Sequence, residues 1–293
     1  MQTVNPYVII TDATADLPAD MAAELGVTVI PMEFQLSDQT YEHFADAHVI
    51  SIPDVYNRLR NGELASTSQI NTFTYTQYFE PFFQEGKDIL YIAFSSGLSG
   101  TQQAAVIAAN DLLEKYPERK FSCVDSLCAS MGEGLLVYTA AKKKENGLSF
   151  DELNQWLLDN RLHLCHWFTV DDLNHLKRGG RISGATAAIG SILNIKPVMH
   201  VDDEGHLIAV SKVRGRKKSL LSLVEHMEQT YSPDQNDIIF IGHGDSLEDA
   251  EFVRDLVQEK FGISNILISY IGPVIGAHSG PGTIALFFFG SQR

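Results

Sequence analysis

Residues 88–101 read DILYIAFSSGLSGT, an apolar run from Ile89 to Phe94 that leads directly into a Ser/Gly turn and then a helix pattern. The turn offers the hydroxyls of Ser95, Ser96, Ser99 and Thr101 together with unpaired backbone N–H groups at a helix start. Free N–H groups and the helix dipole both favour negative charge, so this spacing suits an anion. In an open α/β sheet, ligands sit beyond the carboxyl ends of strands, where this turn falls. Three other segments share its small, polar character: Ser66-Thr67-Ser68-Gln69, Arg178-Gly179-Gly180-Arg181-Ile182-Ser183 and His278-Ser279-Gly280-Pro281-Gly282. Hydroxyls and an imidazole brought to one point make a neutral cradle for a carboxylate or a phosphate. Each segment taken alone is better explained as turn or cap chemistry, but all four together are not.

Bond-breaking chemistry finds less support. A hydrolase built on Ser96 and His278 needs a Gly-x-Ser-x-Gly elbow and an acid, such as Asp12, to orient the imidazole. Gly97-Leu98-Ser99-Gly100-Thr101 lacks the last glycine of that elbow. No Gly-x4-Gly-Lys-Ser/Thr or Gly-x-Gly-x-x-Gly follows a strand pattern, which argues against a nucleotide-binding phosphotransferase. The histidines show no HxH or HExxH pairing, so no metal or cofactor is expected, and His243 reads as a satisfied strand-end residue. The basic cluster Lys212, Arg214, Arg216, Lys217 and Lys218 opposes the dipole of the helix it opens, which points to docking of an acidic partner. Lys177, Arg178 and Arg181 extend that positive surface, and an ordinary solvated helix start is the alternative reading.

The 293 residues suffice for one large or two ordinary domains, and 44% hydrophobic content is that of a folded globular chain. Against 37 Asp+Glu stand 22 Lys+Arg, a formal net charge of −15, which argues against nucleic acid as partner. Cys123, Cys128 and Cys165 have no metal-ligand spacing, and their odd number suits reduced thiols in a cytoplasm. Cys123 and Cys165 lie in apolar runs and read as core. The start MQTVNPYVIITD has no signal-peptide pattern, and no apolar stretch reaches the roughly 18–20 residues that span a bilayer.

The elements that must position these segments follow from periodicity. Strands are expected at 7–10, 27–36, 88–94 and 120–124, and helices at 17–25, 53–61, 74–84, 101–116, 130–146 and 150–161. Apolar strands alternating with amphipathic helices predict a Rossmann-like α/β domain with a parallel sheet covered on both faces. In TDATADLP (11–18), Asp16 is expected to cap the next helix, with Pro18 in its first turn. Beyond residue 160 the pattern changes. It shows a strand LHLCHWFTV, a short helix DDLNHLKR, a Gly/Ala-rich helix start at 179–194 and a hairpin turning at Asp203-Glu204-Gly205. A basic helix at 215–231, strand DIIFIGH, a helix at 247–261, strand NILISYIG, a Gly-rich turn and a final strand TIALFFFG complete the chain. This half predicts an α+β domain with a mixed sheet, so the expected domains are 1–160 and 161–293, with the ligand at their interface.

Together these segments resemble the DegV family. The matching pieces are TDATADLP (11–18), TSQ (67–69), SSGLSGT (95–101), LKRGGRIS (176–183), LNIKP (193–197), VRGRKK (213–218) and HSGPG (278–282), in the family's order and over nearly the whole chain. Ile70 departs from the pattern, which has Pro after TSQ. The resemblance implies a two-domain lipid binder similar to the fatty-acid-binding subunit of bacterial fatty acid kinase. That subunit presents a fatty acid to a separate ATP-dependent kinase and is not itself catalytic. Carried onto this chain, Thr67, Ser95 or Ser96, and His278 would hold the carboxylate of a long-chain acid such as palmitate, stearate or oleate. Arg214 and Arg216 would dock the kinase, and Arg181 would shape the site or touch the partner. A cytoplasmic monomer with at most transient membrane contact is expected. Burying some 14 methylenes would supply about 11 kcal/mol before binding costs, so the head group needs hydrogen bonds chiefly for orientation.

Overall fold

The computed structural model describes residues 6–183 and 194–293, and the Gly/Ala-rich run 184–193 expected to open a helix lies outside the described residues. Three sheets organise it. A parallel sheet has the order β2-β1-β6-β7, with β1 Tyr7–Asp12, β2 Val27–Ile30, β6 Asp88–Ala93 and β7 Phe121–Asp125. A six-stranded mixed sheet has the order β10-β9-β8-β13-β11-β12. Its strands are β8 Leu164–Thr169, β9 Ile195–Val201, β10 Leu207–Arg214, β11 Ile239–His243, β12 Ile266–Tyr270 and β13 Ile284–Phe289. Neighbours in it are antiparallel except β11 and β12. The α/β class and the change from parallel to mixed sheet are as the patterning predicts. β9 and β10 form the expected hairpin about residues 203–205.

A third, antiparallel sheet, β4-β3-β5, was not expected; it comprises β3 Met32–Leu36, β4 Gln39–His43 and β5 Ala65–Thr67. The single strand expected over 27–36 is therefore two strands in different sheets. Pro31 separates them, because it has no N–H to continue a ladder. β4 and β5 escape a hydropathy reading because they are short and mostly exposed or half-buried. Asp16 does not cap the next helix: Pro18 is the N-cap residue of Ala19–Glu24, and Asp16 stands at φ 50 with its carboxylate turned inward. The expected Gly-rich turn before the last strand contains a helix, Pro273–Ser279. Its Gly276 is no helix breaker but a packing requirement, since a Cβ there would lie 2.6 Å from the Tyr56 hydroxyl.

The central helix Met131–Glu145 has its first seven residues all buried and packs on strands of both large sheets. Two glycines permit this. A Cβ at Gly132 would meet His166 Nε2 at 2.1 Å, and one at Gly134 would meet the Ala15 carbonyl at 2.5 Å. One core cluster accordingly runs from Leu90 and Ile92 of the parallel sheet, through Leu135 and Leu136, to Phe240 and Phe287 of the mixed sheet. Arg293 ties the edge of the same junction. Its guanidinium donates to the carbonyls of Leu127 (2.7 Å), Arg161 (2.7 Å), Leu164 (3.0 Å) and Asp202 (3.1 Å). We predict that Arg293→Ala lowers the unfolding free energy by ~2–3 kcal/mol, because these carbonyls lose a charged donor. Urea denaturation checks this, and a loss below ~0.5 kcal/mol would remove Arg293 as a structural tie.

Candidate functional site

Between the parallel and mixed sheets lies a cavity of about 780 Å³, counting its open mouth. Most of its wall is apolar: Phe94 and Leu98 from the loop after β6, Phe168 and Phe287 from the mixed sheet, Val201 and Leu207 from the hairpin, Val274 and Ile275 from the Pro273–Ser279 helix. Polar groups gather at Thr67, Ser99, Arg181, His278 and Ser279.

The expected segments do converge, though not with every hydroxyl. Thr67 ends β5, and His278 sits in the last turn of the helix Pro273–Ser279; Thr67 Oγ1 and His278 Nε2 are hydrogen-bonded at 2.8 Å. Nδ1 of His278 and Oγ of Ser279 are buried without a partner among the described residues, which leaves hydrogen-bonding capacity inside the cavity wall. Burial pushes the His278 imidazole down to about 4, and the nearby Arg181 charge adds to that. The ring is therefore neutral at pH 7. A Cβ at Gly179 would fall 2.1 Å from His278 Nδ1, and Gly180 has φ +71. The Gly-Gly pair thus admits the imidazole and turns the chain so that Arg181 reaches the cavity. Arg181 Nε donates to the Leu98 carbonyl at 3.1 Å, Nη1 donates to the Gly179 carbonyl, and burial lowers its pKa.

Ser95 and Ser96 are placed elsewhere. Ser95 is fully buried; its Oγ donates to the Gly205 carbonyl at 2.9 Å and accepts from Gly97 N–H at 3.2 Å. Side chains alternate along an extended chain, so with Phe94 on the cavity wall Ser95 points the other way, against the hairpin turn. Ser96 is exposed, and its N–H donates to Asp125 Oδ1 at 3.1 Å. The hydroxyl of this turn that lines the cavity is Ser99, paired with Thr101 Oγ1 at 2.8 Å. No Ser96–His278–Asp12 relay is assembled: Asp12 is engaged by Thr14 and Tyr91, and His278 Nε2 by Thr67. Of the two arginines expected to dock a partner, Arg214 is exposed on edge strand β10, whereas Arg216 is held by Asp249 and the Gly282 carbonyl. His243 is a satisfied strand-end residue, accepting from Ser246 N–H at Nδ1. Ile70, the departure after TSQ, is buried in the core.

Sequence reasoning missed a buried acid network beside the cavity, to which Thr14 and Ser130 of the lining belong. Thr14 Oγ1 contacts Asp12 Oδ1 closely and Glu133 Oε2 at 3.0 Å. Thr11 Oγ1 contacts Glu133 Oε1 at 2.8 Å and the Ile92 carbonyl at 3.0 Å. Each hydroxyl has one proton but faces two acceptors, so a carboxyl proton must complete the set. Burial raises the pKa of Asp12, lifts Glu133 well above the usual carboxylate range, and pushes Asp16 up to about 8. Ser130, at φ 55, ψ −146, donates to Asp16 Oδ2 at 2.5 Å. That backbone region is costly for a residue with a Cβ, so the surrounding bonds hold it there. The repeated acids of TDATAD, at 12 and 16, were the available signal.

The fold is α/β, with a parallel and a mixed sheet flanking one cavity, and the chain belongs to the DegV family. The model of that family, described as "Uncharacterised protein, DegV family", matches residues 6–291. A DegV domain-containing protein of Clostridium perfringens is 45% identical over 290 residues, covering 99% of both chains. Among solved structures, a DegV family protein from Thermus thermophilus, described by its fatty acid binding, superposes with TM-score 0.85 at 28% identity. That match covers 97% of this chain and 99% of the other. The Fatty Acid Kinase B3 protein of Streptococcus pneumoniae, solved loaded with linoleic acid, shares the fold with TM-score 0.85 at 22% identity, over 97% and 99% of the two chains. Among the described residues, no helix is long and apolar enough to cross a membrane.

The acid network has a pH signature. A carboxyl whose folded pKa is raised contributes its full stability below its unfolded pKa of about 4.5 and loses it as pH climbs toward the folded value. Glu133→Gln does not titrate, so its melting temperature relative to the parent is predicted to rise steadily from pH 4.5 to pH 8. A pH-independent difference in calorimetry would show that Glu133 is not held neutral.

Proposed function

We propose that this protein binds a long-chain fatty acid in the cavity between its two large sheets. The carboxylate is held by Thr67, Ser99, Arg181 and His278, and the chain lies along the apolar wall. The carrying observation is the Thr67–His278 pair at 2.8 Å in a mostly apolar cavity, with His278 Nδ1 left without a partner among the described residues. Fatty acid binding by the Thermus thermophilus relative supports the ligand class. The neutral cradle with one cation at its edge accepts a carboxylate and leaves room for a change of head-group charge. This is what presentation to a phosphorylating partner requires. In the same reading the protein is a non-catalytic carrier, and an ATP-dependent fatty acid kinase is its partner. The exposed cations Lys212, Arg214 and Lys218 supply the docking surface, standing out on a chain of net charge −15.

Denaturing the purified protein and analysing its extract by mass spectrometry is expected to release a fatty acid, or to do so after incubation with oleic acid. Recovery of no fatty acid in either experiment rejects the carrier reading. Thr67→Val should weaken oleic acid binding about tenfold, as expected for a lost hydrogen bond to a charged group; unchanged affinity by fluorescence displacement places the carboxylate elsewhere. Arg214→Ala should abolish acyl phosphate formation by the cognate kinase and leave lipid affinity intact. Loss of lipid binding in that variant contradicts a docking role.

A further inference from the structure

The two arginines of VRGRKK stand in different environments. Arg214 has an exposed side chain with no ion pair among the described residues. The Arg216 side chain is only 22% exposed and points inward, toward the turn after His278. Its Nη2 donates to the Gly282 carbonyl at 2.5 Å, and its Nε donates to Asp249 Oδ2 at 2.9 Å. Nη1 lies 3.5 Å from Asp171 Oδ1. Both acids are fixed in turn. Asp249 accepts from Ser246 Oγ at 2.8 Å, and Asp171 from Lys196 Nζ at 2.7 Å. The turn is pressed against them, since a Cβ at Gly282 would lie 2.2 Å from Asp171 Oδ2. Gly282 N–H donates to the Gly244 carbonyl at 2.7 Å, while Thr283 Oγ1 contacts the carbonyls of Ser279 and Gly280 at 3.0 and 2.9 Å. The end of the His278 helix and its closing turn are therefore tied together, and Arg216 joins that unit to the helices Arg216–Thr230 and Leu247–Phe261.

We propose that Arg216 is a positioning residue for the head-group cradle: by holding Gly282 between Asp249 and Asp171 it sets the imidazole of His278 against Gly179 and Thr67. The proposal rests on the reading that this cradle receives a fatty acid carboxylate. It separates Arg216 from the docking role that Arg214 retains. A docking arginine needs a free guanidinium, whereas this one already has two anions and a carbonyl around it.

The test compares Arg216→Ala and Arg216→Lys with the parent, using oleic acid and oleyl alcohol, which share a chain and differ in the head group. Histidine-labelled protein is followed by ¹⁵N NMR without ligand. In Arg216→Ala the affinity for oleic acid is expected to fall about tenfold while that for oleyl alcohol holds, so acid-over-alcohol selectivity collapses. The His278 ring signals should shift, and its titration should move from about 4 toward the ordinary histidine range. Arg216→Lys keeps one charge but cannot serve Asp249 and Gly282 in the same planar geometry, and should restore selectivity only in part. Unchanged selectivity together with an unchanged His278 spectrum overturns the proposal. Should the parent take up neither ligand, the carrier reading falls while the His278 spectrum still decides the role of Arg216. If Arg216→Ala does not fold, Asp249→Asn and Arg216→Lys carry both measurements.

Discussion

Burial of the helix Met131–Glu145 between two sheets is the constraint on which the rest of the structure depends. The first two turns of this helix are covered and cannot carry a solvated charge, yet Glu133 occupies the first of them with no solvent exposure. The hydroxyls of Thr11 and Thr14 meet both of its oxygens, and a retained proton removes the charge. Gly132 and Gly134 would weaken an isolated helix, but here they set how closely the two sheets approach. The same spacing leaves room for the cavity beside the helix, because the Ala129–Ser130 backbone ahead of it forms part of the wall.

The cradle follows a similar logic of close approach. Glycines at 179, 205 and 282 stand where a side chain would collide with His278, Ser95 and Asp171 respectively. Each therefore brings a loop from one part of the chain against a loop from another. The polar segments act on the site at two levels: Thr67, Ser99, Arg181 and His278 reach the cavity, whereas Ser95, Gly282 and Arg216 hold the loops that carry them.

Much of the fold was legible in the residues. The strand-then-helix alternation from β6 to Phe150–Asn160 and the hairpin at 203–205 appear as patterning predicts, because their apolar periods match the faces they bury. Less legible were β4, β5 and the helix Pro273–Ser279, whose short lengths, polar faces or glycine disguise them. In the site, the convergence of TSQ, SSGLSGT, RGGRIS and HSGPG was readable as a shared polar character. Which hydroxyl of SSGLSGT faces the cavity was not, since a one-residue difference in an extended chain reverses the face.

The sequence by itself therefore determined the α/β class, the change of sheet type after residue 160, the candidate cradle segments and the acidic balance of the chain. Those are properties of local period, turn chemistry and composition. Only the tertiary structure decided that Ser99 replaces Ser95 and Ser96 at the cavity, that Asp16 turns inward to Ser130, and that Arg216 holds a turn from behind. Each of these depends on partners between 33 and 114 residues away or on the side of a strand, and neither distance nor facing is written in a segment's own residues.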